Sequence, residues 1–287
     1  MNEPTHTFYR HSGKFGIHGP LLALLAAVVI GFPLGILYAY LIKWIPFIYL
    51  NFFLTVGYGC AFGFMTGWLL KFGKVRSSAI AALIGLVVGM AASYFSWNGY
   101  VHAMVNESPT LITFAQLRGL MGLLYDNGSW GIGSSGTPVT GIPLAIVWFV
   151  EAAIIIGITF ALAFGFVAQL PFCEQHGCWY DEERNIDKLD AFVMPEHLAA
   201  LKAGDLSPLG AANPRVPASG RFARLILKHS AKCDDYCALC IENITITTDK
   251  EGNPQEKKES LLTNLLVPKN TFDYLLKSEP ASAASPS

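Results

Sequence analysis

The residues of this 287-residue chain that could do chemistry are mostly sulfurs: Cys60, then Cys173 and Cys178, then Cys233, Cys237 and Cys240. Cys173-x2-His176 and Cys237-x2-Cys240 are two short-spaced pairs. Two intervening residues let a tight turn aim both side chains at one ion about 2.0–2.3 Å away, and the glycine after His176 eases that turn. Brought together, Cys173, His176, Cys237 and Cys240 supply the four soft N and S donors of a closed, structural zinc site, with Cys178 and Cys233 as alternates. A catalytic metal is not expected, because no further His, Asp or Glu constellation suggests an open coordination position. The competing reading is a set of reduced, partly buried thiols with no metal. Cys233-x3-Cys237-x2-Cys240 also has the spacing of a radical-enzyme cluster triad, and Cys237/Cys240 that of a redox dithiol. Neither is accompanied by the barrel or the βαβ pattern it needs.

The elements that carry these sulfurs fall into two unlike halves. The chain is 52% hydrophobic and 14% charged with mean hydropathy +0.40, against about 25% charged residues in an ordinary soluble domain. Before Cys173 there are only seven Lys/Arg and four Asp/Glu; from Cys173 to Ser287 there are 13 and 17. The tail is therefore mildly acidic, with no cluster of cations among aromatics, which excludes nucleic acid as a main partner.

Four runs, Gly19–Ile42, Pro46–Leu70, Ser77–Trp97 and Val139–Leu170, are uncharged apart from Glu151. Each meets the roughly 20 residues that cross about 30 Å of hydrocarbon. The expected architecture is an all-α transmembrane four-helix bundle with a small α+β cytoplasmic C-terminal module. Its parts are an N-terminal segment 1–18, a membrane domain 19–172 with an external segment 98–138, a Cys-containing module 173–279, and a disordered Pro/Ala/Ser tail 280–287. The first run is too long for a cleaved signal peptide. Lys71, Lys74 and Arg76 between the second and third runs, set against the solitary Arg118 of the external segment, place both termini on the cytoplasmic side. A reducing compartment favours thiols or metal ligands over disulfides.

Glu151 is the one ionisable group well inside a run. A lone carboxylate at membrane depth costs roughly 2.5–3.5 kcal/mol even on the lenient insertion scale, so a compensating partner is expected. It either lines a proton or cation path or, hydrogen-bonded, locks the fourth helix to a neighbour. Gly59, Gly63 and Gly67 share one face of the second helix; Gly31 with Gly35 and Gly85 with Gly89 do the same on the first and third. Small residues let helices approach closely in lipid, within one bundle or along a homo-oligomer seam. Cys60 and Trp148 read as packing residues. In the external segment, Leu111 to Tyr125 predicts an interfacial or re-entrant helix, and Gly131-Ile-Gly133-Ser-Ser-Gly136 a flexible loop, since it follows no strand.

In the tail, Asp187–Gly204 predicts one or two short helices, the second opened by Pro195 and closed by Gly204. Asp205–Ser219 reads as a linker, and Arg221–Lys232 as a further short element. Asn243–Thr248 alternates as a strand does, with a hairpin turn at Gly252-Asn253, and a last short helix is expected over Thr271–Lys277. His6, His197 and His229 read as solvent-facing.

Tyr9-Arg-His-Ser-Gly-Lys14, Tyr38-Ala-Tyr40 with Ile45-Pro-Phe-Ile-Tyr49, Gly73-Lys-Val-Arg76 and Pro171-Phe-Cys173 together resemble an uncharacterised group of bacterial multi-pass membrane proteins. The likeness covers most of the membrane half and implies no activity. Where a four-cysteine site needs a second Cys in its first pair, this chain has His176. The expected role is that of an integral membrane protein anchoring a metal-stabilised cytoplasmic module for protein contacts. Transport through a path lined by Glu151 stands second, and a membrane-bound enzyme third.

Overall fold

The structure is a computed structural model that describes residues 7–45, 48–105, 111–128, 130–132, 137–212, 220–233 and 235–271. The chain forms two compact units, Ser12–Gln169 and a second built from the residues before Ser12 together with those from Leu170 onward.

Among its described residues the first unit contains four helices long and apolar enough to cross a membrane: α1 (His18–Trp44), α2 (Ile48–Phe72), α3 (Ser78–Val105) and α5 (Gly141–Ala168). Their contacts follow a four-residue rhythm, because residues four apart stack on one helix face. Ala23, Ala27, Gly31, Gly35 and Ala39 form the buried stripe of α1. A Cβ on Gly35 would stand 2.3 Å from the carbonyl oxygen of Phe95 in α3, and one on Gly99 would stand 2.1 Å from that of Gly35. The glycines of α2 meet α5 in the same way, Gly63 against Leu162 and Gly67 against Phe166, and Gly89 of α3 meets Ile156. These glycines meet the chain's own helices, the packing within one bundle that is the first of the two readings their spacing allows.

The segment Ser12–Lys14 is tied to the turn between α2 and α3: the Arg76 amide donates to the Lys14 carbonyl at 2.9 Å and the Gly13 amide to the Arg76 carbonyl at 3.2 Å. Helix α4 (Phe114–Asn127) is the helix expected in the segment between the third and fourth spans. Fourteen residues at 1.5 Å each reach only about 21 Å, too short to cross. Thr113 and Gln116 close its start as a reciprocal capping box, and Gly128 ends it at φ 83°. Buried Asn98 accepts from the Ile112 amide at 2.8 Å and anchors the approach to α4. Short strands β2 (Gly131–Ile132) and β3 (Thr137–Pro138) pair before α5, while residues 133–136 of the glycine-rich loop lie outside the described residues.

The second unit is richer in strand than its sequence predicts. A hairpin of β4 (Phe172–Cys173) and β5 (Cys178–Trp179) precedes β6 (Glu182–Leu189), α6 (Pro195–Lys202), α7 (Ser207–Ala211), β7 (Arg221–His229), β8 (Tyr236–Thr248) and β9 (Pro254–Pro268). Strands β6 to β9 form an antiparallel meander, completed at its edge by β1 (Thr7–Phe8), whose residues lie opposite Leu266 and Leu265 of β9. Thr7 and Phe8 are therefore part of the tail's sheet. Helix α6 opens at Pro195 and closes at Gly204, φ 85°, as the sequence predicts, but Asp187 to Leu189, where a first short helix is expected to begin, are the end of strand β6. Arg221–Lys232 resolves into β7 and a turn. The strand over Asn243–Thr248 begins seven residues earlier, at Tyr236, and its hairpin turn is capped by Asp249, which accepts from the Asn253 amide at 2.8 Å. Of the linker expected over Asp205–Ser219, Ser207–Ala211 is instead helix α7, while residues 213–219, the stretch after Thr271 where a last helix was expected, and residues 280–287 lie outside the described residues.

One face of the sheet carries the core. Leu225, Leu227, Leu239, Ile241, Leu265 and Val267 pack with Leu201 of α6 and with Phe192. Buried Asn243 holds both main-chain groups of Phe192, accepting from its amide at 3.0 Å and donating to its carbonyl at 2.7 Å. The other face bears charge: Arg224 forks to Asp187 at 2.8 Å and to Glu256 at 2.9 Å.

Candidate metal centre

The β4–β5 hairpin sets the first two donors. Cys173 and Cys178 lie opposite each other in its ladder, and Gly177, at φ 61°, takes the left-handed conformation that brings the chain round. His176 thereby swings its Nδ1 to 3.4 Å from Cys173 Sγ. The third donor comes from the β7–β8 turn, where the Cys233 amide donates to the Ser230 carbonyl at 3.1 Å and the thiol lies 2.8 Å from Cys173 Sγ. Tyr180, just past β5, stands with its hydroxyl 3.5 Å from Cys233 Sγ. Cys173, Tyr180, Cys233 and Ala238 form a small buried cluster on the sheet face opposite the main core, with Cys178 and Leu266 at its edge.

Cys173, His176 and Cys233 thus present two sulfurs and one imidazole nitrogen all within 4.8 Å of one another, an arrangement able to hold a metal ion. Ligands on a tetrahedral zinc stand about 3.5–3.7 Å apart at ordinary Zn–N and Zn–S lengths. The sulfur–nitrogen distance already fits, and the sulfurs would open by roughly 1 Å. Asp235, with Oδ2 3.9 Å from His176 Nδ1, and Cys178, opposite Cys173 in the ladder, flank these three donors without joining their 4.8 Å cluster. Burial, reinforced by the neighbouring Cys233 thiol, pushes the Cys173 thiol up to about 11, and the Tyr180 hydroxyl is raised for the same reasons. A metal must displace protons here, so its binding weakens as pH falls.

The first predicted pair comes together, and the second does not join it. Cys237 and Cys240 lie in strand β8, not in a turn. Side chains alternate along a strand, so residues three apart face opposite sides and cannot share one ion. Cys237 turns into the main core and reaches the Val267 carbonyl at 3.6 Å. Cys240 faces the other way, accepting from the Asn264 amide and donating to its Oδ1, both at 3.2 Å. Cys233, an alternate in the sequence, takes the place given to them. The clue available was its position in a short Ser/Ala/Lys turn rather than within an apolar run.

Glu151 is compensated as its cost requires. The Tyr38 hydroxyl donates to Glu151 Oε1 at 2.6 Å, and the one hydrogen of the Thr55 hydroxyl has two acceptors in reach, the Tyr38 oxygen at 2.8 Å and the Asn51 carbonyl at 3.0 Å. Tyr58 stacks on Tyr38 at 4.6 Å. The acid therefore joins α5 to α1 and, through Thr55, to α2. Trp148 is a packing residue, edge-on to Trp97 at 5.2 Å. It also borders an apolar cleft of about 560 Å³ between α3, α4 and α5. No family model, curated protein or solved structure matches the chain.

Proposed function

We propose that the chain is an integral membrane protein whose four-helix bundle anchors a zinc-stabilised cytoplasmic module used for protein contacts. The observation that carries this reading is the convergence of Cys173, His176 and Cys233, from segments 60 residues apart, on one ion-sized space. Zinc is favoured over harder metals because two of the three donors are thiols and the third is an imidazole. The role is structural: the ion ties the β4–β5 hairpin, the first part of the module after the last span, to the sheet.

Two features support the same-side topology. An even number of spans returns the chain to its starting side, and β1 lies in the same sheet as β9. The cations Lys14, Lys74 and Arg76 gather where the N-terminal segment bonds to the α2–α3 turn, the side that retains positive charge. For transport, Glu151 would have to line a polar path. Its hydrogen bond from Tyr38 supports a clasp between helices instead.

Elemental analysis of the purified full chain tests the metal: about one zinc per chain is expected, lost in Cys173→Ser and kept in Cys240→Ser. Absence of zinc and iron from wild type removes the reading. A reporter fused after Ser287 should be cytoplasmic and a cysteine placed near Asn127 should be labelled from outside; the reverse pattern removes the topology.

A further inference from the structure

The two sulfurs of the cluster stand 2.8 Å apart across 60 residues of sequence. That is closer than the ~3.7 Å of two thiolates on one zinc and wider than the ~2.05 Å of a covalent S–S bond. We infer that Cys173 and Cys233 are a reversible dithiol for which bound metal and disulfide are alternative, mutually exclusive states. The sulfur pairing stands on this geometry alone; only its competition with zinc rests on the function proposed above.

The surroundings single out this pair. Cys237 and Cys240 are directed to opposite sheet faces, and Cys240 is engaged by Asn264. Cys178 lies opposite Cys173 in the hairpin ladder and is the one competing partner the test must separate. Access comes past His176 and Asp235, whose side chains are 40% and 52% exposed and mark the open side of the cluster.

The oxidant is a hydroperoxide, and the chemistry balances in two steps. One thiol loses its proton and its sulfur attacks the peroxide oxygen: an S–O bond forms, the O–O bond breaks, and the leaving alkoxide takes the proton as an alcohol, or as water from hydrogen peroxide. The second sulfur, also deprotonated, attacks the sulfenic sulfur: the S–S bond forms, the S–O bond breaks, and hydroxide leaves as water. The pair gives up two electrons and the peroxide accepts them. Both thiolate donors are then consumed, so a metal held by them must leave. A dithiol reductant reverses the state.

The test uses the full chain in detergent or nanodiscs, treated with hydrogen peroxide either after chelation or after loading with zinc, then alkylated and digested for mass spectrometry. The expected product in the chelated sample is the peptide pair linked through Cys173 and Cys233, formed equally in Cys178→Ser and reversed by reductant. Zinc at about ten times its own dissociation constant should slow this linkage about tenfold. Zinc already bound should be released one for one with disulfide. A Cys173–Cys178 link in wild type, or intact Cys173 and Cys233 after prolonged peroxide, overturns the pairing. Linkage at the same rate with zinc bound overturns the competition. If no zinc binds and the Cys173–Cys233 link still forms, the metal reading fails while the sulfur pairing stands.

Discussion

The bundle and the sheet hold themselves together by opposite means. Where α1 meets α3, main chain faces main chain at Gly35 and Gly99, positions with no side chain at all. Where β8 meets β7 and β9, the interior is made of side chains: Leu239, Ile241 and Leu265 are fully buried. The difference matches what each unit exposes, four helices apolar enough to cross a membrane in one and a charged sheet face in the other. In lipid, removing a leucine from its surroundings gains little, so helices associate by close packing and polar clasps such as Tyr38–Glu151. In water, apolar burial is worth roughly 25 cal/mol per Å², so the sheet invests in large side chains on one face and leaves charge on the other.

The comparison predicts its largest effect where a side chain is added to the bundle. Gly35→Leu or Gly99→Leu places atoms inside the opposing helix backbone, which no rotamer change relieves. Overpacking ordinarily costs about 1–3 kcal/mol, and here the cost should exceed that range. Thermal melting in detergent should show loss of the folded bundle. Gly157→Ala, with open space around its Cβ, should leave it unchanged. Tolerance of leucine at both close-contact positions would break the comparison.

The matching deletion belongs to the sheet. Leu239→Ala empties a fully buried site and should cost about 2–5 kcal/mol of tail stability. The same truncation of Phe164, which the bundle leaves exposed, should cost little. Limited proteolysis of the tail alongside melting of the bundle separates the two. Next comes Asn243→Ala, which strands the buried amide and carbonyl of Phe192 and should cost about 2 kcal/mol, whereas Asn243→Asp should lose only the donated bond.

The spans were legible because length and apolarity alone define them, and Glu151 because a lone acid in such a run demands a partner. The clasp partner was not legible: Tyr38 lies 113 residues away, with no local mark of its role. The sheet was half legible. Asn243–Thr248 alternates, but Cys237 to Ile241 is buried on both faces and shows no alternation, so the strand's first half looked like a ligand turn. That one ambiguity misassigned Cys237 and Cys240. The hairpin donors survived because Gly177 fixes their turn locally, whereas Cys233 joins them only through tertiary folding. The pairing of Thr7 and Phe8 with the far end of the chain left no trace in so short a segment.

The smallest effect lies on the sheet's charged face and depends on pH. Arg224, only 15% exposed, forks between Asp187 and Glu256, and its guanidinium holds the Glu256 carboxyl below the usual carboxylate range. A carboxyl depressed on folding contributes stability that is fully present above its unfolded value, near 4.3, and is lost as pH falls through the folded value. Glu256 is largely solvent-facing, so the contribution should stay under about 1 kcal/mol and shrink with added salt. Asp249, depressed by the amides of its hairpin turn, adds a change of the same sign, and Asp249→Asn removes it from the measurement. In metal-free protein between about pH 5 and 3, the tail's melting temperature should fall less in Glu256→Gln than in wild type. Any metal must be kept out of this window, because binding at Cys173 would also weaken as pH falls, by protonation of the thiol rather than of Glu256. Equal acid sensitivity of wild type and Glu256→Gln would mean the fork contributes nothing, leaving the apolar face alone to hold the sheet.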